Sequence, residues 1–202
     1  MTALTPAARI SVACLALAAP ALADGPAGLG ERAQSILTAE NLFGSLETDT
    51  ERGEDRRTSL TQKYMPGGGL SQLGYHRVVA PRVTLGANLH AYRVKIDDAD
   101  SASWGVMLRP RVGYALPLSP LFAVWPRGGL LLAHGGGHDT QTTALAAGVD
   151  ALVALTPAPH VGIFGGLLFE APLWGRHKTE GRDSQRYLLS QTGLTVGALV
   201  DF

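Results

Sequence analysis

From residue 142 to 155 the chain alternates: Leu145, Ala147, Val149, Ala151, Val153 and Leu155 take one face, with Gly148 and Asp150 opposite them. A period of two is the signature of a β-strand with two unlike faces. The same pattern recurs. Val83, Leu85, Ala87, Leu89 and Ala91 oppose Thr84, Gly86, Asn88 and His90. Trp104, Val106, Leu108, Pro110, Val112, Tyr114 and Leu116 oppose Gly105, Met107, Arg109, Arg111 and Gly113. Val161, Ile163, Leu167, Phe169 and Leu173 oppose Gly162, Gly166 and Glu170. Such strands must cover one face and pair both edges, which leaves few architectures open.

Short proline turns and longer polar stretches separate the strands in alternation. The turns are Ala80-Pro81-Arg82, the segment 116–120 (LPLSP) and the segment 156–159 (TPAP), and proline reverses the chain at each. The polar stretches are 50–69, 97–103, 135–142 and 175–186. Eight strands result, at 36–47, 71–80, 82–96, 103–116, 121–134, 142–155, 160–173 and 187–202. Each is long enough to cross a bilayer as a tilted strand. The first, SILTAENLFGSLE, alternates poorly, and its faces stay unassigned. The glycine runs 67–69 and 135–137 lack the strand–loop–helix setting of a phosphate cradle and are expected as loop tips.

Periodicity does not say which face meets solvent. A soluble sandwich or barrel would put many lysines and glutamates on its polar face. Here that face holds glycine, alanine, serine, threonine, asparagine and histidine, with about one charge per strand. The three lysines, Lys63, Lys95 and Lys178, fall in loops or at a strand end. Charged residues are 17% of the chain, below the usual quarter, and 25 glycines exceed the usual share. The expected arrangement is inverted: apolar side chains face lipid and small polar ones line a narrow lumen. In hydrocarbon no backbone edge can stay unpaired, so the sheet must close. The expected fold is all-β, an eight-stranded antiparallel up-and-down transmembrane β-barrel.

The front of the chain agrees. Arg9, an apolar run over about residues 10–19, Pro20 and Ala21-Leu22-Ala23 have the layout of a secretory signal peptide over 1–23. The run is too short for a transmembrane helix. Residues 24–35 would be a short periplasmic segment and 36–202 the barrel. The only cysteine, Cys14, lies in the leader, so no disulfide is available afterwards. Balanced charge gives no electrostatic case for nucleic acid.

The chain ends on TVGALVDF, residues 195–202, with Val196, Ala198, Val200 and Phe202 on one face. Together with the leader and the alternating loops, this resembles the Gram-negative outer-membrane β-barrels of the small eight-stranded OmpA/OmpX type. The resemblance is architectural and covers the chain after its leader. It implies outer-membrane localisation, both termini in the periplasm and long loops outside. It also implies that Thr195, Gly197, Val200 and Phe202 form the C-terminal signal for the barrel-assembly machinery. Tyr114, Phe122 and Phe202 near one rim, and Trp104 and Phe169 nearer the other, would be interfacial girdles, the alternative being ordinary core.

Two prolines, Pro110 and Pro126, fall inside strands and delete ladder donors. A local bulge is expected there, or sites whose N–H would point away from the ladder. Arg109, Arg111, Arg127 and Asp150 lie at similar distances from the short turns on adjacent strands. A lumen of eight strands is just wide enough for side chains to fill. These groups are expected to form an ion-pair plug, with Glu170, His90, Asn88 and Gln191 as further members. The alternative is a narrow pore, anion-preferring because arginines outnumber acids.

An enzyme at the outer rim would need a nucleophile, a base and an orienting acid within reach. His134, His138, Asp139, His177, Asp183 and Ser184 supply the residue types but no recognisable motif. His134 and His138 lack further metal ligands at useful spacing. The expected protein is a non-enzymatic monomer with no cofactor and no metal, with outer-membrane lipid as its solvent. A pore, a lipid-modifying acyl hydrolase or transferase, and a secreted soluble barrel holding an apolar ligand are the alternatives.

Overall fold

A computed structural model describes residues 29–30, 35–40, 45–52, 56–63, 72–95, 102–186 and 189–202. The expected signal peptide, 1–23, lies outside them. The strands are β1 (Ser35–Glu40), β2 (Ser45–Arg52), β3 (Arg56–Lys63), β4 (Gln72–Ala80), β5 (Val83–Lys95) and β6 (Ala102–Tyr114). They continue with β7 (Leu116–Pro117), β8 (Phe122–Gly137), β9 (Thr140–Ala158), β10 (Val161–Thr179), β11 (Gln185–Arg186) and β12 (Leu189–Asp201). The described residues hold no helix.

These segments make a closed ring of eight antiparallel positions. β1 and β2 follow one another along the first position, β3 and β4 along the second, β6 and β7 along the fourth, and β11 and β12 along the last. β12 closes the ring. One edge pairs with β10 from Val161↔Val200 to Glu170↔Gln191, and the other with β1 and then β2. Phe202 and Ser35 exchange both backbone hydrogen bonds at 3.0 Å.

Two short turns use one device. Pro81 precedes Arg82 and Pro159 precedes His160, and the second residue of each pair has positive φ, 67° and 63°. Proline presets the first turn position, and the left-handed second residue completes the reversal.

The apolar faces point outward. Leu85, Val149 and Leu167 are 52%, 57% and 63% exposed, while Arg111 and Glu170 are 2% and 0% exposed. A face this greasy and continuous requires an apolar solvent. Tyr114, Phe122, Phe202, Trp104 and Phe169 are all on it. Arg77 also points outward, near the turn end of β4, where a long side chain can reach headgroups.

Several expectations need correction. The polar stretch 50–69 is not a simple loop, because β2 and β3 pair from Ser45↔Lys63 to Arg52↔Arg56. The glycine run 135–137 is not a loop tip. β8 and β9 stay paired to Gly137↔Thr140, leaving only His138 and Asp139 in the turn. β10 likewise continues to Thr179. Above the apolar belt both faces can be polar, so a strand continues there without the hydrophobic alternation that marks it in sequence. The glycine run 67–69 lies outside the described residues.

The lumen is layered rather than uniformly polar. At the end that carries the termini it is filled by Leu29, Ile36, Trp125, Leu152, Phe164 and Leu199. The indole N–H of Trp125 donates to Thr84 Oγ1 at 3.0 Å. Gly113 makes room for this contact, since a Cβ there would lie 2.5 Å from Trp125 Nε1. Thr84→Val should cost about 1–3 kcal/mol by leaving that N–H buried without an acceptor. A lowered denaturant midpoint of the folded, detergent-solubilised barrel would show it.

Candidate functional site

Above the apolar layer, three arginines meet three acids. Arg109 comes from β6 and donates through Nε and Nη2 to both carboxylate oxygens of Glu170, at 2.9 and 3.3 Å. Its Nη2 also donates to Gln191 Oε1 at 3.1 Å. Arg111, two residues on and therefore on the same face, donates to Glu170 at 2.8 Å and to Asp150 at 3.2 Å. Arg127 from β8 donates to Asp150 at 2.5 Å, and to Glu40 at 2.7 and 3.3 Å. Each acid therefore accepts from at least one arginine, and Asp150 and Glu170 each bridge two. All six side chains are buried.

The register explains why these residues meet. Gly86 pairs with Arg111, Arg127 with Asp150, Gly148 with Glu170 and Glu170 with Gln191, so the charges sit on neighbouring strands near one level. Gly148 leaves the space in which Arg111 reaches Glu170: a Cβ there would lie 2.9 Å from Arg111 Nη2 and 3.0 Å from Glu170 Cγ. About 10 Å³ of space remains among Glu40, Gln72, Asn88, Arg109, Arg111, Arg127 and Asp150. That is the room for one water at most.

Neither proline shifts the strand register. Pro126 pairs opposite Ala151 with no register shift, and the β6–β8 register is the same on both sides of Pro110. The shifts lie instead at Val78/Ala80, Val161/Ile163 and Pro172/Trp174. Continuing the β6–β8 register places Leu130 opposite Pro110. Proline has no N–H to give the Leu130 carbonyl, and Arg111 Nη1 donates to it at 2.9 Å. The plug thus repairs the ladder that Pro110 leaves incomplete.

Glu40 and His76 belong to the site and were not anticipated. Glu40 sits on the strand whose faces could not be assigned. Ile36, Thr38 and Glu40 point inward and Leu37 outward. Because the lumen is apolar at this end, Ile36 and Leu37 are both hydrophobic on opposite faces, which erases the alternation. The available signal was charge: three lumen arginines against Asp150 and Glu170 leave one cation to be matched. With Glu40 the described network balances three against three, which removes the excess on which an anion preference would rest. His76 Nε2 donates to Asn88 Oδ1 at 2.9 Å, and its ring meets Trp125 edge-on at 5.0 Å. The Arg127 guanidinium carbon lies 4.8 Å from the Trp125 ring centre, tying the ionic layer to the apolar one. His90 is buried in the same lumen, its ring 5.8 Å from that of Tyr92.

The rim histidines are spread over both faces of the sheet and the tip turn. His134 is on the outer face, its Nδ1 2.8 Å from Thr143 Oγ1 and its ring 5.4 Å from Trp104. His177 faces inward, its Nδ1 2.8 Å from Thr142 Oγ1. His138 contacts Asp139 in the tip turn. Among the described residues, no three His, Cys, Asp or Glu side chains could hold a metal together.

At the C-terminal strand, Thr195 and Gly197 face the lumen and Phe202 faces outward. A Cβ on Gly197 would lie 2.4 Å from the Ala39 carbonyl oxygen and 2.5 Å from the Phe164 ring. Gly197 therefore lets β1 and Phe164 close up against β12.

No protein family matches the chain, and no curated protein does. Among solved structures, Neisserial surface protein A superposes with a TM-score of 0.53 at 12% identity, over 84% of this chain and 97% of that one. The outer membrane protein OprG from Pseudomonas aeruginosa superposes with a TM-score of 0.52 at 7% identity, over 87% of this chain and 99% of the other. The chain has the fold of the small outer-membrane β-barrels.

Proposed function

We propose that this is an exported, monomeric, non-enzymatic outer-membrane barrel that does not conduct and that acts through its distal strand extensions. The observation that carries this reading is the balanced arginine–acid lattice, which leaves a cavity of only about 10 Å³ among Glu40, Arg109, Arg111, Arg127 and Asp150. A lattice that sets three arginines against three acids, and also donates to the carbonyl that Pro110 leaves free, supports a structural role. The apolar outer face supports lipid as the solvent. In this reading both termini are periplasmic, and the C-terminal strand, with Thr195, Gly197, Val200 and Phe202, is read by the barrel-assembly machinery. β2–β3, β8–β9 and β10 then carry polar hairpins beyond the outer leaflet, where surface contacts are made.

Planar-bilayer recording on the purified barrel and on Asp150→Ala tests the plug. The expected result is no steady conductance from the wild type and a lower thermal midpoint for the variant. Steady anion current from the wild type, or a variant with altered conductance and an unchanged midpoint, would establish the pore instead.

A further inference from the structure

We propose that the outer face of β10 and β11, just above the apolar belt, holds the phosphate of an anionic lipid headgroup. The inference rests on the membrane reading. From Ile163 to Trp174 the outward side chains of β10 are apolar or absent, and that length suits one bilayer crossing. The bulge between Pro172 and Trp174 turns Leu173 and Trp174 outward together, 53% and 52% exposed. Trp174 therefore marks the upper border of the belt, as interfacial tryptophans do.

The next outward residue is Arg176, and Lys178 follows it. Arg176 pairs directly with Arg186 across β10–β11, so two guanidinium groups share one face at adjacent positions. Both are exposed, and among the described residues neither has an acid partner. Like charges directly opposite each other destabilise a strand pair. An anion between them removes that cost, and two forked guanidinium groups suit a phosphate. Thr143, the β9 neighbour of Arg176, lies beside them with its hydroxyl against His134 Nδ1 at 2.8 Å. Along β10 the described acids sit toward the tip, with Asp139 in its turn and Glu180 and Asp183 past the end of the strand, while Glu51 of β2 lies across from Leu189 at the start of β12. A headgroup rising alongside Trp174 meets the cations first.

The test uses the full barrel folded in detergent, titrated with phosphatidic acid or phosphatidylcholine and read by native mass spectrometry. Phosphatidic acid should be retained over phosphatidylcholine, and the double variant Arg176→Gln/Arg186→Gln should reduce that preference by roughly tenfold. Arg182→Gln, which removes a cation at the tip, should leave the preference intact. Inorganic phosphate in excess should not displace the lipid. An unchanged preference in the double variant, an equal loss in Arg182→Gln, or displacement by inorganic phosphate would each overturn the proposal. Heat-modifiable gel mobility of the same samples separates the two levels of failure. A barrel that folds in detergent without lipid preference overturns only this inference, whereas a chain that never folds in detergent overturns the membrane reading.

Discussion

Replacing Glu170 by alanine should lower the stability of the barrel by about 3–5 kcal/mol. Glu170 is fully buried and accepts hydrogen bonds from both Arg109 and Arg111. Its removal leaves two guanidinium groups short of a counter-charge in a buried lumen. Glu170→Gln keeps the shape and one acceptor oxygen but loses the charge, so it should fall between wild type and alanine. Guanidinium titration of the reconstituted barrel, followed by tryptophan fluorescence, measures the series. A loss under about 1 kcal/mol for Glu170→Ala would mean that the lattice is solvated rather than sealed.

The second large effect is on the opposite face. Val149 is 57% exposed, near the middle of the outward apolar run of β9, with Gly128 and Phe169 as its lateral neighbours. Val149→Arg should cost about 2–4 kcal/mol, because it places a cation near the midplane of hydrocarbon. On a water-facing strand the same exchange would stay within about 0.5 kcal/mol. Folding yield into vesicles, with denaturant titration of the folded fraction, distinguishes the two.

The features legible in the sequence were those that a single strand carries by itself. The alternation at 83–91, 104–116 and 145–155 placed Leu85, Val112 and Val149 on one face and Arg109, Arg111 and Asp150 on the other, as the structure has them. What stayed hidden depends on neighbours. Glu40 was obscured because Ile36 and Leu37 are apolar on both faces, and only the terminal apolar layer gives Ile36 a reason to be inward. The hairpin of β2 and β3 was hidden because strands in water need no apolar face. The role of Arg111 at the Leu130 carbonyl follows from a register that no single strand reveals.

The central claim is that lipid touches the apolar face of the closed sheet. Spin labels on single cysteines at Leu85, Val149 and Leu167, in an otherwise cysteine-free barrel reconstituted in vesicles, test it most directly. The account predicts that all three labels collide freely with dissolved oxygen and are shielded from a water-soluble nickel complex. Labels open to nickel at these positions, or closed to both agents as in a packed protein core, would contradict it.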